Sequence, residues 1–104
     1  MKKSEYELKI FPLARLDMEQ IFDYIAFELC NPSAAVALIG DFEKAFENVC
    51  LFPESCPHIN NEYVKDKSLR KLIVNNYIAF YRVKNSEVQV VRVVYGMRNY
   101  EEML

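Results

Sequence analysis

The stretch LRKLIVNNYIAFYRVKNSEVQVVRVVYGMRN, residues 69–99, decides the fold of this chain. Its apolar runs predict three β-strands, over residues 69–74, 77–83 and 87–94, and the last of them is rich in β-branched valine. Asn75-Asn76 and Lys84-Asn85-Ser86 separate the strands, and asparagine favours turns because it tolerates a positive φ. Three antiparallel strands with an apolar face are about the minimum for a stable sheet, so the rest of the chain is expected to cover this one.

Two different periodicities precede the sheet. Residues 5–11 alternate between charged and apolar side chains, which predicts a strand with one buried face. From residue 13 to about residue 29 the apolar residues recur at helical spacing, and a second helix is expected from Pro32 to about Leu51. Asn31 suits the N-cap of that helix, and Pro32 suits its first position. With so short a link, the two helices must form an antiparallel hairpin.

The element order is therefore β-αα-βββ, in a single domain spanning residues 1–104. It predicts an α+β fold in which a helix hairpin packs on one face of a mainly antiparallel four-stranded sheet. Residues 53–68 form a long connection that is expected to be functional or mobile. The predicted core residues share the inward faces of these elements: Met18, Ile21, Ile25, Leu38, Phe42, Phe46, Leu72, Val74, Phe80 and Val90.

Composition narrows the class of protein. Of the 104 residues, 52% are hydrophobic and 27% are charged, which is typical of a globular domain and excludes wholesale disorder. No apolar run approaches the roughly 20 residues that span a bilayer, and the N-terminus lacks the apolar core of a signal peptide, so a cytoplasmic protein without a membrane partner is expected. Three scattered cysteines and one histidine, His58, do not favour a zinc site or a Cys/His catalytic pair.

Charge is distributed unevenly along the chain. Residues 1–62 carry a net charge of −6 and residues 63–104 a net charge of +4, which together give the overall −2. Such asymmetry can mark a surface that binds a polyanion, although a solvated basic face of the sheet would have the same composition.

Several segments, taken in order, carry a resemblance to a known family. They are the opening strand, ARLDMEQIFDYI (residues 14–25), NPSAA (31–35), LFP (51–53), Arg70 before a strand, YIAFYRV (77–83) and VVRVVYGMRNYEEML (90–104). Over residues 6–104 the chain resembles the RelE/ParE toxins of type II toxin–antitoxin modules. The resemblance implies a growth inhibitor that is neutralised by a cognate antitoxin.

Two mechanisms follow from this resemblance. RelE-like members cleave mRNA in the ribosomal A site, using lysine, arginine and tyrosine side chains and no metal or cofactor, whereas ParE-like members inhibit DNA gyrase. For cleavage, the matching positions make Lys71, Arg98, Tyr95 and Tyr100 the catalytic candidates. Arg70 and Arg92 are the candidates for binding substrate. Arg98 is favoured because a guanidinium matches two phosphate oxygens and stays charged.

Two departures weaken the cleavage interpretation. Ile78 stands where RelE-like enzymes tend to have an arginine, and Tyr95 stands where relatives often have a histidine, so a histidine acid or base is missing at that position. Arg70 is better explained as a structural residue. Cleavage of mRNA is the leading expectation, gyrase inhibition is close behind it, and an inactive member of the fold is the third interpretation.

The expected partner surface follows from the predicted layers. With helices on one face only, the second face of the sheet is predicted to be uncovered. A segment of the antitoxin, extended or helical, is therefore expected to wrap the sheet and the hairpin, and could add a strand to an open edge. An acidic antitoxin would suit the half of the chain whose net charge is +4.

Overall fold

The computed structural model describes residues 5–96 and Leu104. It contains β1 (Glu7–Ile10), α1 (Pro12–Asp23), a π-helical turn (Tyr24–Glu28), α2 (Pro32–Leu51), β2 (Arg70–Val74), β3 (Tyr77–Lys84) and β4 (Glu87–Tyr95). The predicted order β-αα-βββ is confirmed. No helix in the described ranges has the length and apolar character needed to cross a bilayer.

The four strands form one mixed sheet in the order β1-β4-β3-β2. The pairs β2–β3 and β3–β4 are antiparallel, and β1 lies parallel to β4. This pairing covers only residues 87–90 of β4, because the chain leaves the sheet at Phe11 and enters α1 at Pro12. The C-terminal half of β4 therefore has no strand on its outer side within the described residues.

Positive φ angles shape both hairpins. Asn75 has φ 53°, and Asn85 and Ser86 have φ 54° and 60°. Two consecutive positive values between paired residues Lys84 and Glu87 are the geometry of a type I′ turn, which matches the natural twist of a hairpin. The turn was expected to include Lys84, which instead ends β3.

The first helix differs from the expected continuous helix over residues 13–29. After Asp23 the backbone widens into the π-helical turn, which inserts an extra residue and rotates the side chains that follow. Leu29, which helical spacing placed on the buried stripe, is 55% exposed, and Cys30 closes the hairpin with φ 50°. As predicted, Asn31 caps α2, where its side-chain oxygen accepts a hydrogen bond from the Ala34 N–H at 3.2 Å.

The main core lies between the hairpin and the sheet. Phe42 and Phe46 of α2 are fully buried there, with ring centroids 6.0 Å apart, and Phe42 also contacts the Tyr77 ring. All ten predicted core residues are confirmed as buried or packed against a core. Met18, Ile21, Ile25 and Leu72 are half-buried, and Phe80 belongs to a second cluster on the opposite face.

That second cluster corrects the expectation of an uncovered sheet face. Ile78, Phe80 and Val94 are buried there, with Ile59 and Leu104 packed against them. The cover comes from Ile59, because residues 57–59 pair with the edge of β2, and from Leu104. Among the described residues, this face of the sheet therefore already has an apolar cover.

The same connection is held by specific bonds. The Ile59 N–H donates to the Leu69 carbonyl, and the Lys71 N–H donates to the Pro57 carbonyl, both at 3.0 Å, so residues 57–59 pair with the start of β2. Asp66 forms an ion pair with Arg82 at 2.9 Å. Residues 53–68, predicted as a loop that is functional or mobile, are thus tied to the sheet at two places.

Candidate functional site at two sheet edges

Lys71 and Tyr95, two of the catalytic candidates, lie on opposite faces of the sheet. Lys71 pairs with Phe80, whose side chain is in the second cluster, while Tyr95 pairs with Tyr77, whose ring packs against the main core. Directly paired residues of antiparallel strands share a face. These two side chains therefore cannot act on the same phosphate in this arrangement.

Arg70 is engaged with the connection that follows α2. Its guanidinium donates to the Cys56 carbonyl at 2.6 Å and to the Glu54 carbonyl at 3.5 Å. The neighbouring Tyr81, fully buried, donates its hydroxyl to the Pro53 carbonyl at 2.9 Å, and burial raises the pKa of this phenol. Both side chains hold residues 53–56 on the helix side of the sheet, in agreement with a structural role for Arg70.

Arg92 forms a two-point ion pair with Asp17 of α1. Its Nε lies 2.8 Å from Asp17 Oδ2 and its terminal nitrogen lies 3.0 Å from Oδ1, and both side chains are less than one-fifth exposed. Hydrogen bonding to Asp17 raises the pKa of the guanidinium. Arg92 is positioned to stabilise α1 against β4, and its suggested role in binding substrate stays a prediction.

A bulge explains why Asp17 is needed at this point. Phe80 pairs with Arg92, but Tyr81 pairs with Val90, so β4 carries one extra residue, Val91. Past the bulge, the Val93 N–H points away from β3 and donates to Asp17 Oδ2 at 2.9 Å. One carboxylate thus accepts from both a side chain and the main chain where β1 has ended.

Arg98 and Tyr100 lie outside the described residues. Ile78, at the position where an arginine was sought, is only 6% exposed and belongs to the second cluster. The structure therefore brings none of Lys71, Tyr95, Arg70 and Arg92 together at one point.

A groove of about 520 Å³ lies between the first helix and the outer edge of β4. We call it the tyrosine groove; Gln20, Tyr24 and Leu29 line its helix side, and Tyr77, Val93 and Tyr95 line its sheet side. The rings of Tyr77 and Tyr95 meet edge to face with centroids 5.7 Å apart, and burial is the main cause that raises the pKa of Tyr77. None of the described residues that line it is Lys, Arg or His.

A second groove of about 610 Å³ lies at the outer edge of β2, on the other side of the sheet. This lysine groove is lined by Cys56, His58, Ile59, Lys71 and Ile73, among others, and none of its described lining residues is acidic. Residues 57–59 pair with β2 only as far as Lys71, and the exposed Ile73 extends beyond them. The lysine groove is therefore basic and apolar.

A third depression lies on the hairpin itself. This helix groove, about 440 Å³ in volume, has an apolar floor of Ile10, Met18, Phe22 and Ile39, with Arg15 and Glu19 among its polar walls. An apolar channel along a helix pair, with charges at its sides, is suited to receive the apolar face of another helix.

Sequence reasoning missed the roles of Asp17, Tyr24 and Tyr77 at the tyrosine groove. Asp17 lies in the first predicted helix, and its partner Arg92 lies 75 residues away along the chain. Tyr24, Tyr77 and Tyr95 are far apart in the sequence, so no local signal marked their meeting at this groove. Of the cysteines, Cys50 is buried, Cys56 half-buried and Cys30 exposed, and no group of three or more metal-ligating residues occurs in residues 5–96 or at Leu104.

Comparison with known proteins gives consistent matches. Residues 8–100 match the family model described as the ParE toxin of the type II toxin–antitoxin system parDE. A structure of the chromosomal ParDE toxin–antitoxin system from P. aeruginosa aligns with a TM-score of 0.72 at 22% identity, covering 88% of this chain and 96% of that one. The RelBE2 toxin–antitoxin complex from Mycobacterium tuberculosis aligns with a TM-score of 0.60 at 18% identity, covering 88% of this chain and 98% of that one. No curated protein matches the sequence.

Proposed function

Because this chain belongs to the family of ParE toxins of type II toxin–antitoxin systems, we propose that it arrests growth in the cytoplasm by binding a protein, DNA gyrase. In this proposal the toxin is not a nuclease. A cognate antitoxin neutralises it by covering part of its surface.

The single observation that carries this proposal is the separation of the nuclease candidates that lie among the described residues. Cleavage by attack of a 2′-hydroxyl needs a base, an acid and charge stabilisation around one phosphate. Lys71 and Tyr95 lie on opposite faces, and Arg92 is bonded to Asp17. Inhibition by binding does not require these side chains to meet at one phosphate, so it is compatible with their separation.

Ribosome-dependent mRNA cleavage is the second candidate. It is favoured by the net charge of +4 over residues 63–104 and by the lysine groove, where Lys71 and His58 lie without a neighbouring acid among the described lining residues. Contacts of cationic side chains with phosphates supply affinity for RNA. In that case Lys71, together with Arg98 and Tyr100, would bind the scissile region.

One pair of variants separates the two candidates. Lys71→Ala removes the lysine cation of the lysine groove. Lys84→Ala is the matched control, because it removes the same positive charge from the exposed end of β3. If the toxin acts on gyrase, we expect induction of either variant to stop growth, with loss of plasmid supercoiling and intact transcripts. Transcripts cut on translating ribosomes, with cutting lost only in Lys71→Ala, would contradict the gyrase proposal and establish the nuclease.

The antitoxin is proposed to use the helix groove and the lysine groove. The first fits the apolar face of a helix, and the second fits an acidic extended segment. Co-expression with the neighbouring reading frame, followed by purification of the complex and titration, tests this pairing. We expect Lys71→Glu to weaken the complex by about tenfold, and Lys84→Glu to leave it within about twofold; equal affinities would remove the lysine groove from the interface.

A further inference from the structure

We propose that the tyrosine groove is the surface that binds the toxin's target, and that it receives an extended, basic segment of a protein. This inference deepens the proposed function and rests on it, because it assumes that the toxin acts by binding a protein. Three properties of the groove carry it: an open main-chain edge, exposed apolar anchors, and the sign of the surrounding charge.

The open edge follows from the register of β4. The Gly96 N–H donates to the Asn76 carbonyl at 2.8 Å, and Val94 pairs with Ile78. Hydrogen-bonded and non-hydrogen-bonded residue pairs alternate along antiparallel strands. Because the main chain of Gly96 bonds to the residue just before β3, the main-chain N–H and C=O of the preceding residue, Tyr95, point away from β3 to the outer side. On that side β1 has already ended, and no other described strand lies alongside. The nearby Val93 N–H is not available, because it donates to the Asp17 carboxylate. An extended peptide can pair with Tyr95 as an added strand.

The anchors are large side chains left in contact with solvent. Tyr24 and Leu29 are each 55% exposed, and Tyr95 is 47% exposed, although all three line a groove formed by well-packed elements. The π-helical turn between Tyr24 and Leu29 is the local cause, since it moves Leu29 off the buried stripe. Aromatic and apolar side chains around a concave surface are typical of the residues that dominate binding energy in protein interfaces.

The charge around the groove selects the partner. Between Arg15 and Lys44 the chain has six Asp or Glu residues and no Lys, Arg or His, so the helical side of the molecule is negatively charged. Asp17, which is bonded to Arg92, is the one acid among the described residues of the groove wall, and none of them is a cation. A polyanion is repelled by such a wall, whereas a basic segment is attracted to it. Enzymes that handle DNA carry cationic surfaces because they must neutralise phosphates, so a DNA-binding target offers the required chemistry.

The first part of the test removes the anchors. Tyr24→Ser combined with Leu29→Ser alters only exposed side chains, and Tyr63→Ser is a matched control because Tyr63 is 70% exposed in the connection after α2. Thermal unfolding of purified variants checks that each is folded. We expect the double variant to need at least about tenfold more protein for half-inhibition of gyrase supercoiling, and to lose growth arrest in cells. The control should match the original protein in both assays.

The second part tests the sign of the charge at Gln20, an exposed residue that lines the groove. In the gyrase supercoiling assay, Gln20→Lys should need several-fold more protein for half-inhibition than Gln20→Glu, and the difference should shrink at high salt. Equal inhibition by the two variants, or the reverse order in the same assay, would overturn the inference of a basic partner.

The two proposals fail in different ways. If the original protein arrests growth while gyrase retains full activity, the gyrase proposal is wrong. Growth arrest by the double variant, compared with the control, then still tests whether the groove binds the target. If the double variant folds, arrests growth and inhibits gyrase like the control, the tyrosine groove is not the target surface, whatever the target is.

Discussion

The outer edge of β2 and the outer edge of the C-terminal half of β4 are covered in different ways. At each edge, unpaired N–H and C=O groups could otherwise pair with another strand. At β2, main-chain atoms of Pro57 and Ile59 pair with Leu69 and Lys71. At β4, the carboxylate of Asp17 accepts the Val93 N–H and also binds Arg92. Both arrangements cover only part of the edge.

The difference teaches how one sheet can present two unlike surfaces. The connection that closes β2 contributes His58 and leaves Lys71 without an acidic neighbour among the described lining residues, so that edge is basic. The helix that closes β4 contributes Asp17, and the π-helical turn after it contributes Tyr24, which lies beside Tyr77 and Tyr95, so that edge is aromatic and has no cation among its described lining residues. The element that covers an edge therefore sets the chemistry of the groove beside it, and this separates the surface proposed for the target from the surface proposed for an extended antitoxin segment.

The largest expected effect comes from breaking the closure of β4. Asp17→Ala leaves the Arg92 guanidinium in a mostly buried site without its partner, and also leaves the Val93 N–H unpaired. Loss of one member of such a pair is expected to lower the free energy of unfolding by about 3 kcal/mol. Urea denaturation of the purified protein measures this. Asp17→Asn, which can still accept from Val93, should lose less; equal losses for both would assign the stability to the charge alone.

A smaller effect is expected at the closure of β2. Tyr81→Phe removes the bond from the phenol to the Pro53 carbonyl, and Arg70→Met removes the bond from the guanidinium to the Cys56 carbonyl. Each change should lower the free energy of unfolding by about 1 kcal/mol. Hydrogen exchange should also speed up at the Ile59 and Lys71 amides, because residues 57–59 lose their anchor. Unchanged exchange there would show that pairing with β2 holds the connection without help from these side chains.

The smallest effect concerns pH and the Asp66–Arg82 pair. A hydrogen bond from the Ser68 hydroxyl, with further bonds from the Ser68 N–H and from Arg82, lowers the pKa of Asp66. A carboxyl whose pKa is depressed by folding contributes stability above its unfolded pKa, near 3.9, and loses it as the pH falls through the lower folded value. Because the pair is about one-third exposed, we expect less than about 1 kcal/mol.

Asp66→Asn checks that assignment. The variant should be less stable than the original protein at pH 6, and the gap should close between pH 4 and pH 2. A gap that persists at pH 2 would mean that the asparagine disturbs the connection itself and that the charge of Asp66 contributes little.

The sequence by itself determined the element order, the hairpin positions and most of the core. Strand and helix periodicity are local properties, and they located α2 from Pro32 to Leu51 and the turn at Asn75 correctly because no distant contact was needed to produce them. Alternation along one strand favoured a structural role for Arg70, whose guanidinium donates to the Cys56 carbonyl, and its role in binding substrate stays a prediction. The resemblance to the RelE/ParE toxins likewise rested on local segments, and the family match agrees with it.

Only the tertiary structure decided which side chains meet. The separation of Lys71 from Tyr95 depends on the register of three strands, and the position of Arg92 depends on the one-residue bulge at Val91, which reverses the alternation of faces. The exposure of Leu29 depends on a π-helical turn that a period of 3.6 residues does not reveal. Asp17 and Arg92 are joined across 75 residues by the packing of α1 on β4. Contacts of that range follow from how layers pack, so the chemistry of both edges emerged only once the sheet was assembled.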